Sequence, residues 1–396
     1  SDPIDPERYE KTHRHCEILV AGGGPAGLMA AYQAAQSGLR VILADEAPQF
    51  GGWMLSDEAV DIDDMVAADW VSNLQAELAT MDNVTLLTRT TVFGYGDHNY
   101  ITLAERVTDH LNHRPAHLPR MRLWKVRAAH AILATGCIER PLVFIGNDLP
   151  GIMLSSAVQT YITRYGVLPG LRAVIFTNND TAYKAALSFQ RAGGFVRAIV
   201  ETRAVVKGAL VKAVRDAGIE ILSGHAVIAA NGILHVGRVE IVPLSNDGDS
   251  LAGEALHMDC DLVMMSGGLT PSVHLHSQAR GKLVWDKKRS CFVPGVNHEA
   301  AKSVGACNGT FDLARGFGEA IRVAVRAVKS VGGQCTALEV PKVSAQKVNY
   351  APMAFWSTPS PDNSGRGSKA FVDFQNDVTS FDIGLAVREG YQSVEH

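Results

Sequence analysis

EILVAGGGPAGLMAAYQAAQSGLRVILADE, residues 17–46, is the stretch on which the fold turns. An apolar run from Ile18 to Ala21 predicts a strand. A glycine-rich turn follows, then a helical pattern, then a second apolar run from Val41 to Ala44 closed by Asp45 and Glu46. A lone G-x-G-x-x-G is weak evidence. Here it leaves a strand and opens a helix, and an acid stands 18 residues past its last glycine. That order is the dinucleotide-binding fingerprint. Gly22 allows a tight turn, Gly24 lets main chain approach a pyrophosphate, and Gly27 lets helix pack on strand. Pro25 and Ala26 complete the turn. Its free N–H groups and the helix dipole favour an anion. Asp45 is placed to bond ribose hydroxyls and to repel a 2′-phosphate, which disfavours NADP. The turn alone does not separate the ADP half of NAD from that of FAD.

The rest of the composition agrees with a soluble α/β chain. It has 396 residues, 46% hydrophobic and 20% charged, with a net charge of −4. That length holds two or three domains. No basic stripe marks a nucleic-acid partner. No apolar stretch approaches the roughly 20 residues of a membrane span. The polar N-terminus lacks a signal-peptide core, so a cytoplasmic location is expected; a start at Ser1 suggests processing or excision. Cys16, Cys137, Cys260, Cys291, Cys307 and Cys335 contain no C-x-x-C and read as isolated reduced thiols.

A strand from Ala131 runs into Ala134, Thr135 and Gly136, small residues that let main chain crowd a cofactor. With Arg140 and Pro141 after it, it resembles the crossing strand of the two-dinucleotide-binding flavoprotein fold, in which a second nucleotide-type domain is inserted into the first. Residues 171–203 supply that second strand–turn–helix–strand. Its turn, from Thr177 through Asn178, Asn179, Asp180 and Thr181 to Ala182, has no glycine. Side chains there take the space of a pyrophosphate, and Asp180 repels it, so this unit reads as a scaffold without a nucleotide.

The expected organisation is therefore a first domain over 1–139, an insert over 140–258, a return over 259–334, and a linker over 335–396 that enters a further domain. In the return, a strand ends at Ser266, Gly267 and Gly268. A helix from about Gly309 to Ser330 either aims its N-terminus at the cofactor, with Gly305, Phe311 and Asp312 near it, or is an ordinary packing element. In the last segment, Thr379 or Ser380 caps a helix and Gly390 stops it.

No nucleophile–base pair stands out. His274 and His276, two apart on an expected strand, would share a face, yet lack a third ligand and read as structural; no metal site is expected. Trp53, Trp124, Trp285 and Trp356 read as core or interface residues. Binding and orientation are the chain's expected contribution, with redox chemistry left to cofactors.

Several stretches are more specific than nucleotide motifs: residues 15–28, 45–52, 90–101, 130–154, 267–286 and 371–396. Through them the chain resembles the central part of the alpha subunits of heterotetrameric sarcosine oxidases. The resemblance implies NAD in the first site, FMN at the alpha–beta interface, FAD in a beta subunit, and small gamma and delta subunits. It implies oxidation of sarcosine to glycine with hydrogen peroxide formed and the one-carbon unit passed to tetrahydrofolate. It places Glu46, Gly51, Gly52, Val92, Ala134, Thr135 and Gly136 on the cofactor wall. It also implies a ferredoxin-like domain before this region and a folate-binding domain after it. The alternatives are a stand-alone FAD oxidoreductase, a non-catalytic scaffold, and an opine or amino-acid dehydrogenase subunit.

Overall fold

The computed structural model describes residues 7–359 and 369–393. The chain divides into two compact units. The first runs to Ile138 and is completed by Thr270–Lys287 and Cys291–Ala345. The second holds Glu139–Leu269, Lys288–Ser290 and the chain from Gln346 onward.

The first unit is built on a mixed sheet. Its strands lie in the order Val84–Leu87, Val41–Ala44, Tyr9–Ala21, Met121–Leu133, Tyr100–Arg106 and Thr90–Gly96, with Ala301–Ser303 also on Met121–Leu133. Strands Tyr9–Ala21 and Met121–Leu133 run parallel along their length. Ile18, Leu19, Val20 and Ala21 are wholly buried. That explains an unbroken apolar run: a central parallel strand is covered on both faces, so alternation disappears. Helices Pro25–Ala35 and Leu313–Ser330 pack together on one face, where Trp70 and Phe317 meet at 5.1 Å.

The second unit carries a five-stranded parallel sheet ordered Ile152–Leu154, Leu262–Ser266, Arg172–Thr177, Phe195–Glu201 and Ile221–Ser223. Three antiparallel strands, His225–Gly232, Val236–Pro243 and Leu256–Asp259, share its core. Strand Leu262–Ser266 lies between Ile152–Leu154 and Arg172–Thr177, so the second unit extends to Leu269. The return expected at 259 begins at Thr270 instead. The apolar run is legible in the sequence, but a buried parallel strand fits either sheet, and only pairing decides.

The segment from 335 is held in place by specific contacts. Buried Gln33 donates to Thr336 O (3.0 Å) and accepts from Leu338 N–H (2.7 Å). Val343–Ser344 pairs with Asp61–Ile62. Beyond residue 345, Phe355 and Phe371 are buried in the second unit. Proline and serine suppress helix here, but side-chain amides and a few apolar residues fix the chain in extended form. Residues 360–368 and 394–396 of the expected linker lie outside the described residues. Thr379 caps helix Ser380–Arg388 through a capping box with Asp382.

His274 and His276 open a short helix, His274–Gln278, rather than a strand. Two residues on a helix diverge by about 200°. His274 is exposed, whereas His276 is buried with Nε2 3.1 Å from Lys282 O. They share no face. Trp124 is buried, while Trp53, Trp285 and Trp356 are each more than two-fifths exposed.

Glu17 fastens the first strand to the chain that enters the second. It accepts from the Arg40 main-chain N–H at 2.9 Å and from the guanidinium at 3.1 and 2.5 Å. These bonds hold its carboxyl down at about 2, from an ordinary 4.5. A carboxylate lowered on folding stabilises above its unfolded value and loses that contribution as pH falls through the folded one. Between pH 4.5 and 2 the melting temperature of the wild type is expected to fall more steeply than that of Glu17→Gln. Equal slopes in thermal melts across that range would remove the role assigned to this bond.

Candidate functional site: the glycine crevice of the first unit

The turn after the first strand is shaped by main-chain proximity. Gly22 has φ 102°, and a Cβ there would lie 2.3 Å from Ala134 O. A Cβ on Gly27 would lie 1.8 Å from Gly22 O. Both positions are closed to any side chain. Gly24 is different: a Cβ there meets nothing within 4 Å. It is the N-cap of helix Pro25–Ala35, has no side-chain cap, and is followed by Pro25 at the first helical position. The first-turn N–H groups of a helix have no intrahelical acceptor. Open space, uncapped donors and the positive end of the dipole therefore coincide at one point.

Three other loops converge there. Gly51 N–H donates to Gly23 O (2.8 Å), and a Cβ on Gly52 would lie 3.2 Å from Gly24 Cα. Phe50 fills the space beside Gly23, where a Cβ would come within 2.1 Å of its ring. A Cβ on Gly305 would lie 2.6 Å from Ala26 Cβ. Ala134 N–H donates to Ala21 O (2.7 Å), which fixes the crossing strand's end beside the turn.

Asp45 is tied to this loop. Its Oδ2 accepts from Gly23 N–H at 2.5 Å, and its Oδ1 from Ala47 N–H at 2.7 Å. The carboxylate keeps lone pairs beyond these two bonds. Glu46 is exposed, and its main-chain oxygen accepts from Arg106 (3.0 Å). Val92 is half-buried against the core that contains Ala44 and Leu133. Thr135 Oγ1 donates to Ser272 O (2.7 Å) and lies 3.1 Å from Cys307 Sγ. Burial pushes the Cys307 thiol up, so it is a packing residue rather than a nucleophile. Gly136 has φ 73° and open space around it. Asp312 caps helix Leu313–Ser330 by accepting from Arg315 N–H (2.9 Å). Its carboxylate is thus turned to its own helix. Phe311 is half-buried beside it.

Glu319 was not among the expected site residues. Its Oε2 accepts from Gly305 N–H (2.8 Å) and its Oε1 from Asn308 Nδ2 (2.6 Å). It locks the Gly305–Asn308 turn beside Ala26. The signal was present: one acid between Gly318 and Ala320 in a buried helical run needs donors.

Residues 16–297 match the model for pyridine nucleotide-disulphide oxidoreductases. The chain belongs to that family. It carries an oxidoreductase domain with the two-dinucleotide-binding fold. Residues 367–396 match the sarcosine oxidase A3 domain. The sarcosine oxidase alpha subunit of Rhizobium meliloti (strain 1021) is 41% identical over 99% of this chain and 38% of its own length. An opine oxidase subunit of Agrobacterium tumefaciens (strain Ach5) is 26% identical over 72% of this chain and 58% of its own. L-proline dehydrogenase from P. horikoshii superposes with a TM-score of 0.61 at 18% identity, covering 87% of this chain and 62% of that one. The chain spans about two-fifths of the length of the sarcosine oxidase relatives it matches. Among the described residues no helix is long and apolar enough to cross a membrane.

Two substitutions separate fold from binding in this oxidoreductase domain. Gly24→Ala is expected to cost about 1 kcal/mol or less in stability, as an N-cap change, and to weaken dinucleotide binding about tenfold or more by blocking main-chain approach. Gly27→Ala is expected to cost about 2–3 kcal/mol through overpacking against the Gly22 carbonyl. Denaturant melts and calorimetric titration check both; equal destabilisation by the two would contradict the geometry.

Proposed function

We propose that this chain is the nucleotide-holding subunit of a multi-subunit, flavin-dependent sarcosine oxidase. The observation that carries the reading is the open face at Gly24, flanked by Gly52 and uncapped helix donors, in a chain 41% identical to the alpha subunit of a sarcosine oxidase. A dinucleotide fits this cradle because side chains are absent where a diphosphate needs room. Gly22, Gly24, Pro25, Ala26 and Gly27 would hold the diphosphate, and Asp45 the ribose hydroxyls. Gly51, Gly52, Ala134, Thr135, Gly136 and Gly305 would wall the crevice, with Val92, Glu46, Phe311 and Asp312 around it. NAD is the nucleotide favoured by the family resemblance. FAD is the second reading, since its ADP half makes the same demands.

In this reading sarcosine loses its N-methyl group to give glycine, oxygen is reduced to hydrogen peroxide, and the one-carbon unit passes to tetrahydrofolate in the whole complex. FMN at the shared interface and FAD in a beta subunit would supply the redox chemistry. Gamma and delta subunits would complete the assembly. The chain's own residues bind and orient a nucleotide. Six free cysteines suit a reducing, cytoplasmic setting.

Acid release followed by mass measurement identifies the nucleotide: one NAD per chain is expected, and FAD would favour the stand-alone reading. Asp45→Asn is expected to weaken NAD about tenfold by removing a charged acceptor and to narrow the preference over NADP. Sarcosine-dependent peroxide should come from the reconstituted complex and not from this chain alone. Turnover by the chain alone, or a complex indifferent to sarcosine, would overturn the assignment.

A further inference from the structure

The second unit repeats the first unit's βαβ order with different residues at the turn. The strand of the first unit ends at Ala21, and that of the second at Thr177. The helix N-caps are Gly24 and Asp180. Counting from the strand ends, Gly22, Gly24 and Gly27 correspond to Asn178, Asp180 and Tyr183. The acid closing the next strand, Asp45 in the first unit, is matched by Glu201.

These replacements fill the crevice from within. Asn178, Asn179, Asp180, Tyr183 and Glu201 are all buried. Arg203 donates to Glu201 Oε1 through Nε (2.9 Å), to Glu201 Oε2 through Nη2 (2.7 Å), and to Asp180 Oδ1 through Nη2 (2.8 Å). Tyr183 OH donates to Glu201 Oε2 (2.7 Å). Burial pushes the Glu201 carboxyl up, against the bonds from Arg203 and Tyr183 that favour its charge. Burial alone would lower the Arg203 guanidinium, and the two carboxylates reverse that and raise it. Two acids share one guanidinium, so Arg203 is engaged by Asp180 and Glu201 and is not offered to a diphosphate. A diphosphate needs free donors and open space at this point.

A segment of the same chain lies over this turn. Met353 N–H donates to Asn178 O (3.0 Å), and Asn178 Nδ2 donates back to Met353 O (3.0 Å) and Phe355 O (3.1 Å). Asn349 N–H reaches Asp180 Oδ2 (3.3 Å). Phe355 is buried edge-on to Phe176, with ring centres 6.2 Å apart. A Cβ on Gly268 would lie 3.2 Å from the Pro352 ring. Val143 then brackets the segment, donating to Trp356 O (2.9 Å) and accepting from Thr358 N–H (2.8 Å).

We propose that the second crevice has been converted from a nucleotide site into a receptor for residues 349–355 of its own chain. The segment and the Asp180–Arg203–Glu201 cluster stand in for the ligand. The chain therefore holds one dinucleotide rather than two, and exchanges no hydride with a nicotinamide nucleotide at the second unit.

Calorimetric titration of the full chain with NAD, NADH, NADPH and FAD in turn tests this. One site per chain is expected, at least a hundredfold weaker in Gly24→Asp, which copies Asp180 into a position where a side chain meets no neighbour. Phe355→Ala is expected to speed hydrogen exchange at the Met353 amide at least tenfold without adding a nucleotide site. Saturating NADH is expected to leave that amide's protection unchanged in the wild type. A site that survives Gly24→Asp, or NADH that deprotects Met353, would overturn the proposal. Absence of any binding in the wild type would agree with a closed second crevice while sinking the reading of the first.

Discussion

The structure depends on how closely one helix approaches one turn. Gly27 and the Gly22 carbonyl leave no room for even a methyl group between them. That approach sets the start of helix Pro25–Ala35 directly over the end of the first strand. It aims the helix's uncapped donors into the space above Gly24. Asp45 closes the arrangement by accepting from Gly23 N–H, so the acid of the next strand holds the loop that faces the ligand. Gly52 and Gly305 approach this loop where a Cβ would lie 3.2 Å from Gly24 Cα and 2.6 Å from Ala26 Cβ. The crevice is thus a consequence of packing, and its chemistry is that of bare main chain.

The same βαβ frame appears twice, and the comparison isolates what the glycines do. Where glycine stands at the turn, main-chain donors face open space. Where Asn178, Asp180 and Tyr183 stand, side chains bond to Arg203, to Glu201 and to residues 349–355, and Asn179 Oδ1 takes the Thr181 N–H (2.9 Å). Strand pairing and helix length are otherwise alike: Pro25–Ala35 and Thr181–Arg191 each span 11 residues and follow a parallel strand whose last four residues are buried. The fold tolerates both because the core rests largely on residues outside the turn, such as Leu28 and Phe317 in one unit and Phe176 and Phe189 in the other. Fold and ligand capacity are therefore separable properties of this architecture.

What is legible in the sequence follows the range of each signal. Residues 17–46 carry their own evidence, because turn, helix and strand are adjacent and the glycines lie at fixed offsets. The degenerate second turn is legible for the same reason. Leu262–Ser266 belongs to the other unit than the one expected, since an apolar run does not say which sheet receives it. His274 and His276 stand on a helix and not the expected strand; five residues are too few for periodicity to separate the two. Residues 335–359 read as linker because their anchors are long-range: Gln33 holds Thr336 and Leu338 across some three hundred positions, and Asn178 holds Met353 and Phe355. Composition reports helix and strand tendency, not a partner amide elsewhere in the chain. Cys307 joins the crevice by the same kind of contact, beside Thr135.

The course of that segment ties nucleotide chemistry to chain routing. After Ala345 the chain leaves the first unit's contacts and enters those of the second. A proline- and serine-rich stretch cannot make its own helix, so its main-chain groups need acceptors and donors from elsewhere. The turn at Asn178 and Asp180 supplies them. An asparagine amide offers one acceptor and two donors, the same groups a neighbouring strand would present. Asn147 repeats the device, donating to Phe371 O (2.8 Å) and accepting from Phe371 N–H (2.9 Å). Replacing glycine by asparagine at a former nucleotide turn thus does two things at once: it removes the room for a diphosphate, and it creates hydrogen-bonding capacity that an extended peptide can satisfy. Asn178 and Asp180, which take room in the second crevice, also hold the chain leading into the sarcosine oxidase A3 match.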